Sequence, residues 1–131
     1  MLGIDTNVLV RFLADDDDVQ SAQAKQFVAG NRPIRVSMLV LAEAFNVLTK
    51  VRKFPTSRVH HGYRTLLRSP DFEVETPSVV AQAIENGEVA GCGFTDALIA
   101  LQNQRAGCIT TATFDHRAAR LEDMKRVESF L

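Results

Sequence analysis

The opening stretch MLGIDTNVLVRFL, residues 1–13, carries the pattern that decides the fold class. Met1–Asp5 is a short apolar run that ends in an acid and predicts a buried strand. Thr6-Asn7 can cap an apolar helix that runs to about Leu13. Asp5 therefore stands where a strand gives way to a helix. In parallel α/β sheets ligands collect beyond the carboxyl ends of the strands, so functional residues are expected at positions of this kind.

Strands and helices alternate along the rest of the chain. Short β-branched or apolar runs predict strands at Ile34–Val36, Phe72–Glu75, Cys108–Thr111 and Arg126–Ser129. Helices are predicted at Val19–Ala29, Met38–Arg52, Thr56–Arg68, Val79–Ala90 and Asp96–Arg105, with Asp18, Ser37 and Thr95 as caps and a short helix near Asp115. This alternation with short connections indicates an α/β fold with a mainly parallel central sheet covered by helices on both faces.

Length and composition bound the class of protein. With 131 residues, 46% of them apolar, residues 1–131 are expected to form a single domain with its own core. The net charge of −1 lacks the excess of Lys and Arg of proteins that grip long nucleic acid through its phosphates, so any such substrate would be bound locally. The apolar stretches are shorter than a membrane span of roughly 18 residues, and no leader segment is evident. A cytoplasmic protein with no membrane contact is expected.

The two cysteines, Cys92 and Cys108, are too few for a disulfide framework and lack the paired spacing of a zinc site. Free cysteine is among the most frequently buried residue types. Both side chains are therefore expected in the core.

Four of the 16 acidic residues stand alone in uncharged stretches, namely Asp5, Glu43, Asp96 and Asp115. A carboxylate within an apolar segment is expected to be partly buried, which is costly without a partner. Asp5 ends a strand, Asp96 and Asp115 begin helices, and Glu43 lies within two turns of a helix start. All four are therefore expected at the carboxyl end of the sheet.

Carboxylates that lie together repel one another unless a hard cation binds between them, so this cluster predicts a divalent metal site. The lack of nearby Cys or well-spaced His disfavours zinc and favours Mg²⁺ or Mn²⁺. Such a site can accept a phosphodiester and lower the pKa of a bound water. In the alternative interpretation, Asp5, Asp96 and Asp115 are only helix caps, and Glu43 pairs with a Lys or Arg. If each residue is considered alone, the interpretation as a helix cap or ion pair is favoured. If the four are considered together, the metal site is favoured over it.

These residues also lie in short motifs with a recognisable order and spacing. The motifs are Asp5-Thr6-Asn7 after the first strand, Val36-Ser37 followed by Ala42-Glu43, Thr95–Ala100 with the letters TDALIA, and Thr113-Phe114-Asp115. Over nearly its whole length the chain resembles PIN-domain nucleases, and among them the VapC-type toxins of toxin–antitoxin pairs.

The resemblance implies a fold, a reaction and partners. It implies a Rossmann-like, three-layer α/β/α PIN domain that cleaves RNA with Mg²⁺ or Mn²⁺, commonly as a homodimer, and a small VapB-like antitoxin that blocks the site. By this resemblance Asp5 and Asp96 would be the main metal ligands, Glu43 and Asp115 would complete the acidic ring, and Asn7 and Thr113 would support it by hydrogen bonds. The RNA that is cut is left open.

Two other functions compete with this interpretation. An aspartyl phosphotransfer enzyme could use Asp5 as its nucleophile, but it would want a second acid two residues later, where this chain has Asn7. A catalytically inactive PIN-like module that only binds RNA or protein is disfavoured because all four carboxylates are kept, although without metal they would repel one another.

Remaining charged residues have simpler explanations. The run Asp15–Asp18 lacks the alternation, the central Gly and the terminal Glu of a calcium loop, and predicts a solvated turn. His60-His61 are adjacent on a predicted helix, so they point in different directions and do not form a ligand pair. Four cations could either contact RNA phosphates or serve as surface charges at helix ends: Arg11, Lys50, Arg52 and Lys53.

Overall fold

A computed structural model describes residues 1–16 and 18–131 of the chain. In these residues strands lie at Leu2–Gly3 (β1), Ile34–Val36 (β2), Phe72–Val74 (β3), Thr111–Thr113 (β4) and Met124–Arg126 (β5). The α-helices span Thr6–Ala14 (α1), Val19–Asn31 (α2), Met38–Asn46 (α3), Thr56–Arg68 (α4), Pro77–Ala90 (α5) and Phe94–Arg105 (α6). A π-helical turn covers Val47–Val51, and 3₁₀ turns cover Ala118–Arg120 and Val127–Phe130. Parallel strands flanked by helices confirm the predicted α/β class.

The chain divides into two compact units, Met1–Pro77 and Ser78–Leu131. In the first unit the strands pair in the order β1-β2-β3, with β2 between its two neighbours. In the second unit β4 pairs with β5. Because every pair is parallel, the strands of each sheet end at one common edge. The expectation that residues 1–131 form a single domain stays a prediction.

The core of the first unit fixes the position of α3, the helix that carries Glu43. Leu9 from α1 and Leu41 from α3 are fully buried, as is Ile34 on the central strand. Tyr63 from α4 is buried as well, and its hydroxyl donates a hydrogen bond to the backbone carbonyl of Leu41. Burial strongly raises the pKa of Tyr63, so the phenol stays protonated and keeps donating this bond.

Two of the predicted helix caps are confirmed. The Oδ1 atom of Asp18 accepts a hydrogen bond from the backbone N–H of Ser21 at 2.7 Å, which begins α2. The Oγ atom of Ser37 accepts one from the N–H of Val40 at 3.1 Å, which begins α3. Both are short-range bonds to the otherwise unsatisfied donors of a first turn.

Two other helix starts were predicted at the wrong residue. Asp5, and not Thr6-Asn7, caps α1, because its extended backbone lets Oδ1 accept a hydrogen bond from the Val8 N–H. Helix α6 begins at Phe94 with Gly93 in the cap position, so Thr95 and Asp96 lie within its first turn.

The end of the predicted helix Met38–Arg52 also differs from the structure. Regular α-helix stops at Asn46, and the chain continues through the π-helical turn Val47–Val51. The Thr49 hydroxyl donates a hydrogen bond to the Phe45 carbonyl at 2.8 Å at this point. A side chain that bonds the preceding turn competes with the regular ladder, which is consistent with the change of helix type.

The last two strands were predicted at wrong positions. The strand expected at Cys108–Thr111 lies at Thr111–Thr113. Cys108 instead follows the end of α6, where its N–H donates a hydrogen bond to the carbonyl of Asn103 in the last turn of that helix. The strand expected at Arg126–Ser129 lies at Met124–Arg126, the segment that pairs with β4.

The burial of the two cysteines differs, because Cys108 lies outside the strand that was predicted to contain it. Cys92 is buried as predicted, whereas Cys108 is exposed, which makes the second expectation wrong. Across the described ranges 1–16 and 18–131, none of the helices is both long and apolar enough to cross a membrane.

Candidate functional site

Asp5 lies two residues after β1 and caps the start of α1 in the first unit. Its Oδ1 atom accepts a hydrogen bond from the Val8 N–H at 3.0 Å, which fixes the rotation of the carboxylate. The residue is exposed, so the expectation of partial burial is wrong here. The buried strand predicted at Met1–Asp5 is also wrong, because β1 spans only Leu2–Gly3 and both of its residues are exposed.

A pocket of about 570 Å³ lies beside Asp5, entirely within the first unit. One wall is a face of α2 that includes Gln20, Gln23 and Phe27, which recur at helical spacing. The opposite wall is the first turns of α1, including Asn7. The residue that the resemblance assigns a supporting role therefore lines a cavity next to the first predicted metal ligand.

Glu43 lies in the second turn of α3 and is exposed, so its predicted burial is also wrong. Its side chain forms no ion pair with any Lys or Arg in the described part of the chain, as the alternative interpretation would require. Helices α1 and α3 pack against each other in this unit. Each of them follows a strand of the parallel sheet, α1 after β1 and α3 after β2.

Glu75 is an acid at the same sheet edge that the sequence reasoning missed. It directly follows β3, and its Oε1 atom accepts a hydrogen bond from the Met38 N–H at 2.9 Å. It therefore shares the start of α3 with the Ser37 cap. The strand-end rule that pointed to Asp5 applies equally to Glu75, which ends a predicted strand. Glu75 was missed because Asp71 and Glu73 closely precede it, so it does not stand alone in an uncharged stretch.

Asp115 follows β4 in the second unit and is held by several short-range bonds. Its Oδ1 atom accepts hydrogen bonds from the N–H groups of Arg117 at 2.7 Å and Ala118 at 2.9 Å. The Ala118 bond, followed by the Arg117 bond, lowers the pKa of Asp115 below its ordinary value of 3.8. Its own N–H donates to Thr113 Oγ1 at 3.0 Å. Asp115 is exposed, contrary to the expectation of burial.

Asp96 lies in the first turn of α6 and is half-buried, in line with the expected partial burial. The pKa of the Cys92 thiol, in the segment just before α6, is raised to about 11. Burial is the main cause, and the negative charges of Asp96 and Asp115 add to it. At this pKa the thiol stays protonated near neutral pH.

Of the four predicted ligands, Asp5 and Glu43 belong to the first unit, and Asp96 and Asp115 belong to the second. Within residues 1–16 and 18–131, no three His, Cys, Asp or Glu side chains are gathered in an arrangement that could hold a metal ion. The chemistry of the donors nevertheless fits Mg²⁺ or Mn²⁺, because all four offer carboxylate oxygens and the neighbouring Cys92 is not a thiolate. A joint site of these four residues stays a prediction.

Three acids of the run predicted to be a solvated turn, Asp15, Asp16 and Asp18, form ion pairs. Asp15 pairs with Lys25, and Asp18 pairs with Arg11. Asp16 pairs with Arg52 at 3.0 Å, and its pKa is lowered first by the Ser21 hydroxyl bond and then by Arg52. Asp17 lies outside the described residues.

Of the four cations that could either contact RNA phosphates or serve as surface charges, Arg11 and Arg52 form ion pairs. Lys50 and Lys53 are exposed. The adjacent histidines do point in different directions, since His60 is buried and His61 is exposed.

Comparison with known families gives one match, and it covers most of the chain. The family model described as the PIN domain matches residues 3–124. No curated protein matches the chain significantly. The matched range covers most of each compact unit and contains all four predicted carboxylates, Asp5, Glu43, Asp96 and Asp115.

Proposed function

This chain belongs to the PIN-domain family, and we propose that it is a ribonuclease that cleaves RNA phosphodiester bonds with Mg²⁺ or Mn²⁺. PIN domains are usually nucleases and typically use divalent metal ions. The observation that carries the proposal is the family match over residues 3–124, a range that contains all four isolated carboxylates.

In this proposal Asp5, Glu43, Asp96 and Asp115 together hold the metal. When bound, the metal would supply positive charge for the phosphate and a water of lowered pKa. The chain itself supplies orientation. Asp5 and Asp115 each use Oδ1 to accept backbone N–H bonds, so their carboxylates are already turned when a ligand arrives. Preorganised ligands of this kind lose little conformational entropy on binding.

Thr113 supports this arrangement through the backbone. Its hydroxyl oxygen accepts the N–H of Asp115, which restrains the turn between β4 and the following 3₁₀ turn. Asn7 has a different position, because it lines the pocket beside Asp5. The resemblance assigns both residues the same role, which is to support the acidic ring by hydrogen bonds. The bond from Thr113 to Asp115 supports this role for Thr113, and the role of Asn7 stays a proposal.

We also propose that the nuclease is the toxin of a type II toxin–antitoxin pair, acting in the cytoplasm as a homodimer. The resemblance of its motifs to VapC-type toxins supports this role. A VapB-like antitoxin would then place an Arg or Lys side chain against Asp5 and Asp96 and compete with the metal through charge-assisted hydrogen bonds.

Cleavage of labelled RNA tests the enzymatic part. The wild type should cleave with Mg²⁺ or Mn²⁺ and lose activity in excess chelator, and Asp96→Asn should be inactive. Glu85→Gln, which changes an exposed acid on α5, is the matched control and should cleave like the wild type. Equal cleavage in chelator would contradict metal dependence. RNA binding without cleavage by any metal would identify a non-enzymatic module instead.

Expression in bacteria tests the toxin role. The wild type should arrest growth, and Asp5→Asn at equal protein level should relieve the arrest. Co-expression of the small open reading frame beside this gene should relieve it too, and the two products should purify together. Arrest that persists with Asp5→Asn, or a neighbouring product that neither binds nor inhibits, would count against this role.

A further inference from the structure

We propose that the pocket beside Asp5 is a subsite for one unstacked nucleobase of the RNA substrate. This inference deepens the proposed function and rests on it, because the base would belong to a nucleotide next to the phosphate that Asp5 serves. Such a subsite would give the enzyme a preference for a particular base near the cleaved bond.

The size and the walls of the pocket suit a base. Its volume of about 570 Å³ falls within the range of roughly 300–1,000 Å³ that is common for small-molecule sites. Phe27 and Ala24 on α2 and Val8 on α1 provide apolar surface. An unstacked base has flat apolar faces, and proteins that read single-stranded RNA commonly bind such faces against aromatic side chains.

The polar groups of the pocket are amides. Gln20, Gln23 and Asn7 each offer a donor and an acceptor, as the edge of a base requires. None of the three side chains forms a hydrogen bond to another described residue, so their donors and acceptors are open to a ligand. Gln20, Gln23 and Phe27 share one face of α2, which places amide and ring on the same wall.

The charges favour a neutral ligand over a phosphate. Arg11 lines the pocket, but its guanidinium is paired with the Asp18 carboxylate. Asp5 adds a further negative charge at the same cavity. A phosphate would therefore meet a wall with no net positive charge, whereas a nucleobase is uncharged near neutral pH. The phosphate is better placed at the carboxylates with their metal, and the base in the pocket.

A single introduced tryptophan tests the contact directly. The chain contains no Trp, so Phe27→Trp places the only indole at the pocket wall. In chelator, a short single-stranded oligoribonucleotide should quench its fluorescence by stacking, whereas the same oligonucleotide made fully abasic should not. Absence of quenching, or equal quenching by the abasic chain, would overturn the subsite. Quenching by the neighbouring antitoxin product but not by RNA would overturn it too, in favour of a protein contact.

Substitution of the amides tests base preference without altering Phe27. For RNAs that differ only in the base beside the cleaved bond, Gln23→Ala should lower kcat/KM for the preferred base about tenfold, and other bases much less, because one hydrogen bond to a base edge has about this effect. Gln26→Ala, an exposed glutamine on the same helix outside the pocket, is the matched control and should cleave like the wild type. Loss of equal size on all bases, or in both variants, would overturn the proposal.

These results separate the two proposals. If the wild type cleaves RNA with metal but neither Gln23→Ala nor the Phe27→Trp fluorescence responds to the base, only the subsite fails. If no RNA is cleaved although bases quench Phe27→Trp, the ribonuclease proposal fails and the base-binding pocket stands.

Discussion

Asp5 and Asp115 occupy equivalent places in the two compact units, yet their surroundings differ. Each follows a parallel strand, and each uses Oδ1 to accept backbone hydrogen bonds at the start of the next helical turn. Asp5 has one such bond, to the Val8 N–H, and a pocket of about 570 Å³ beside it. Asp115 has two, to Arg117 and Ala118, and it influences the buried Cys92 thiol.

A capping role and the proposed catalytic role are compatible in one carboxylate. The cap needs only an acceptor oxygen, which an amide also provides. A metal ligand needs the negative charge, which an amide lacks. The interpretation of these acids as helix caps and their interpretation as metal ligands are therefore compatible, and substitutions can separate them.

The largest expected effect is on catalysis. Asp5→Asn and Asp115→Asn should each lower RNA cleavage by about a hundredfold or more, because each removes a charged metal ligand. Their melting temperatures in chelator should stay close to that of the wild type, since the amide oxygen can accept the same N–H bonds. Cleavage rates and thermal melts on the same samples check this. Retained cleavage in either variant would remove that residue from the proposed metal site.

The next effect concerns the turn before Asp96. A Cβ at Gly87 would lie 3.0 Å from the backbone oxygen of Cys92 and 3.3 Å from the backbone of Gly93. Gly87→Ala should therefore lower the free energy of unfolding by about 1–3 kcal/mol and reduce cleavage as the turn shifts.

The matched control for that substitution lies in the first unit. A Cβ at Gly30 meets nothing within 4 Å at the end of α2, so Gly30→Ala should raise stability by up to about 1 kcal/mol and leave cleavage unchanged. Urea unfolding of both variants provides the measurement. If Gly87→Ala and Gly30→Ala have the same free energy of unfolding, the backbone of Cys92 and Gly93 has room for a Cβ at Gly87 and the expected clash is absent.

A smaller effect isolates the cap at Asp5. Asp5→Ala removes both the charge and the acceptor oxygen, so it should lower the free energy of unfolding by about 1 kcal/mol relative to Asp5→Asn. Both variants should be equally inactive in RNA cleavage. If the two are equally stable in chelator, the hydrogen bond to Val8 contributes nothing to stability.

The smallest effect is the pH dependence at Asp115. Its pKa in the folded protein lies below the ordinary value of 3.8, so the ionised form stabilises the fold above that pH, and this contribution is lost as pH falls through the folded value. The wild type and Asp115→Asn should therefore be of similar stability above about pH 5, and the wild type should lose stability relative to the variant as pH falls from about 5 to about 3. Denaturant unfolding across this range measures it, and a wild type that gains stability relative to the variant towards acid pH would contradict the assigned bonds.

Much of the framework was determined by short segments of sequence. The caps Asp18 and Ser37, the central strand Ile34–Val36 and the helix Thr56–Arg68 all lie as predicted. A cap bonds a group three residues away, and a helix forms from bonds four residues apart, so both signals are present in a short window. The candidate acids stood out for the same reason, as lone charges in apolar segments.

Tertiary structure decided what depends on distant neighbours. The packing of the folded chain leaves Asp5, Glu43 and Asp115 exposed and forms the pocket between α1 and α2. It also brings Asp16 to Arg52, which is far from it in the sequence. The bounds of β4 followed from its partner β5, because a strand is completed only by hydrogen bonds to another strand. Local hydrogen bonds join residues a few positions apart, so the sequence predicts them directly. Burial and strand pairing depend instead on how the whole folded chain packs.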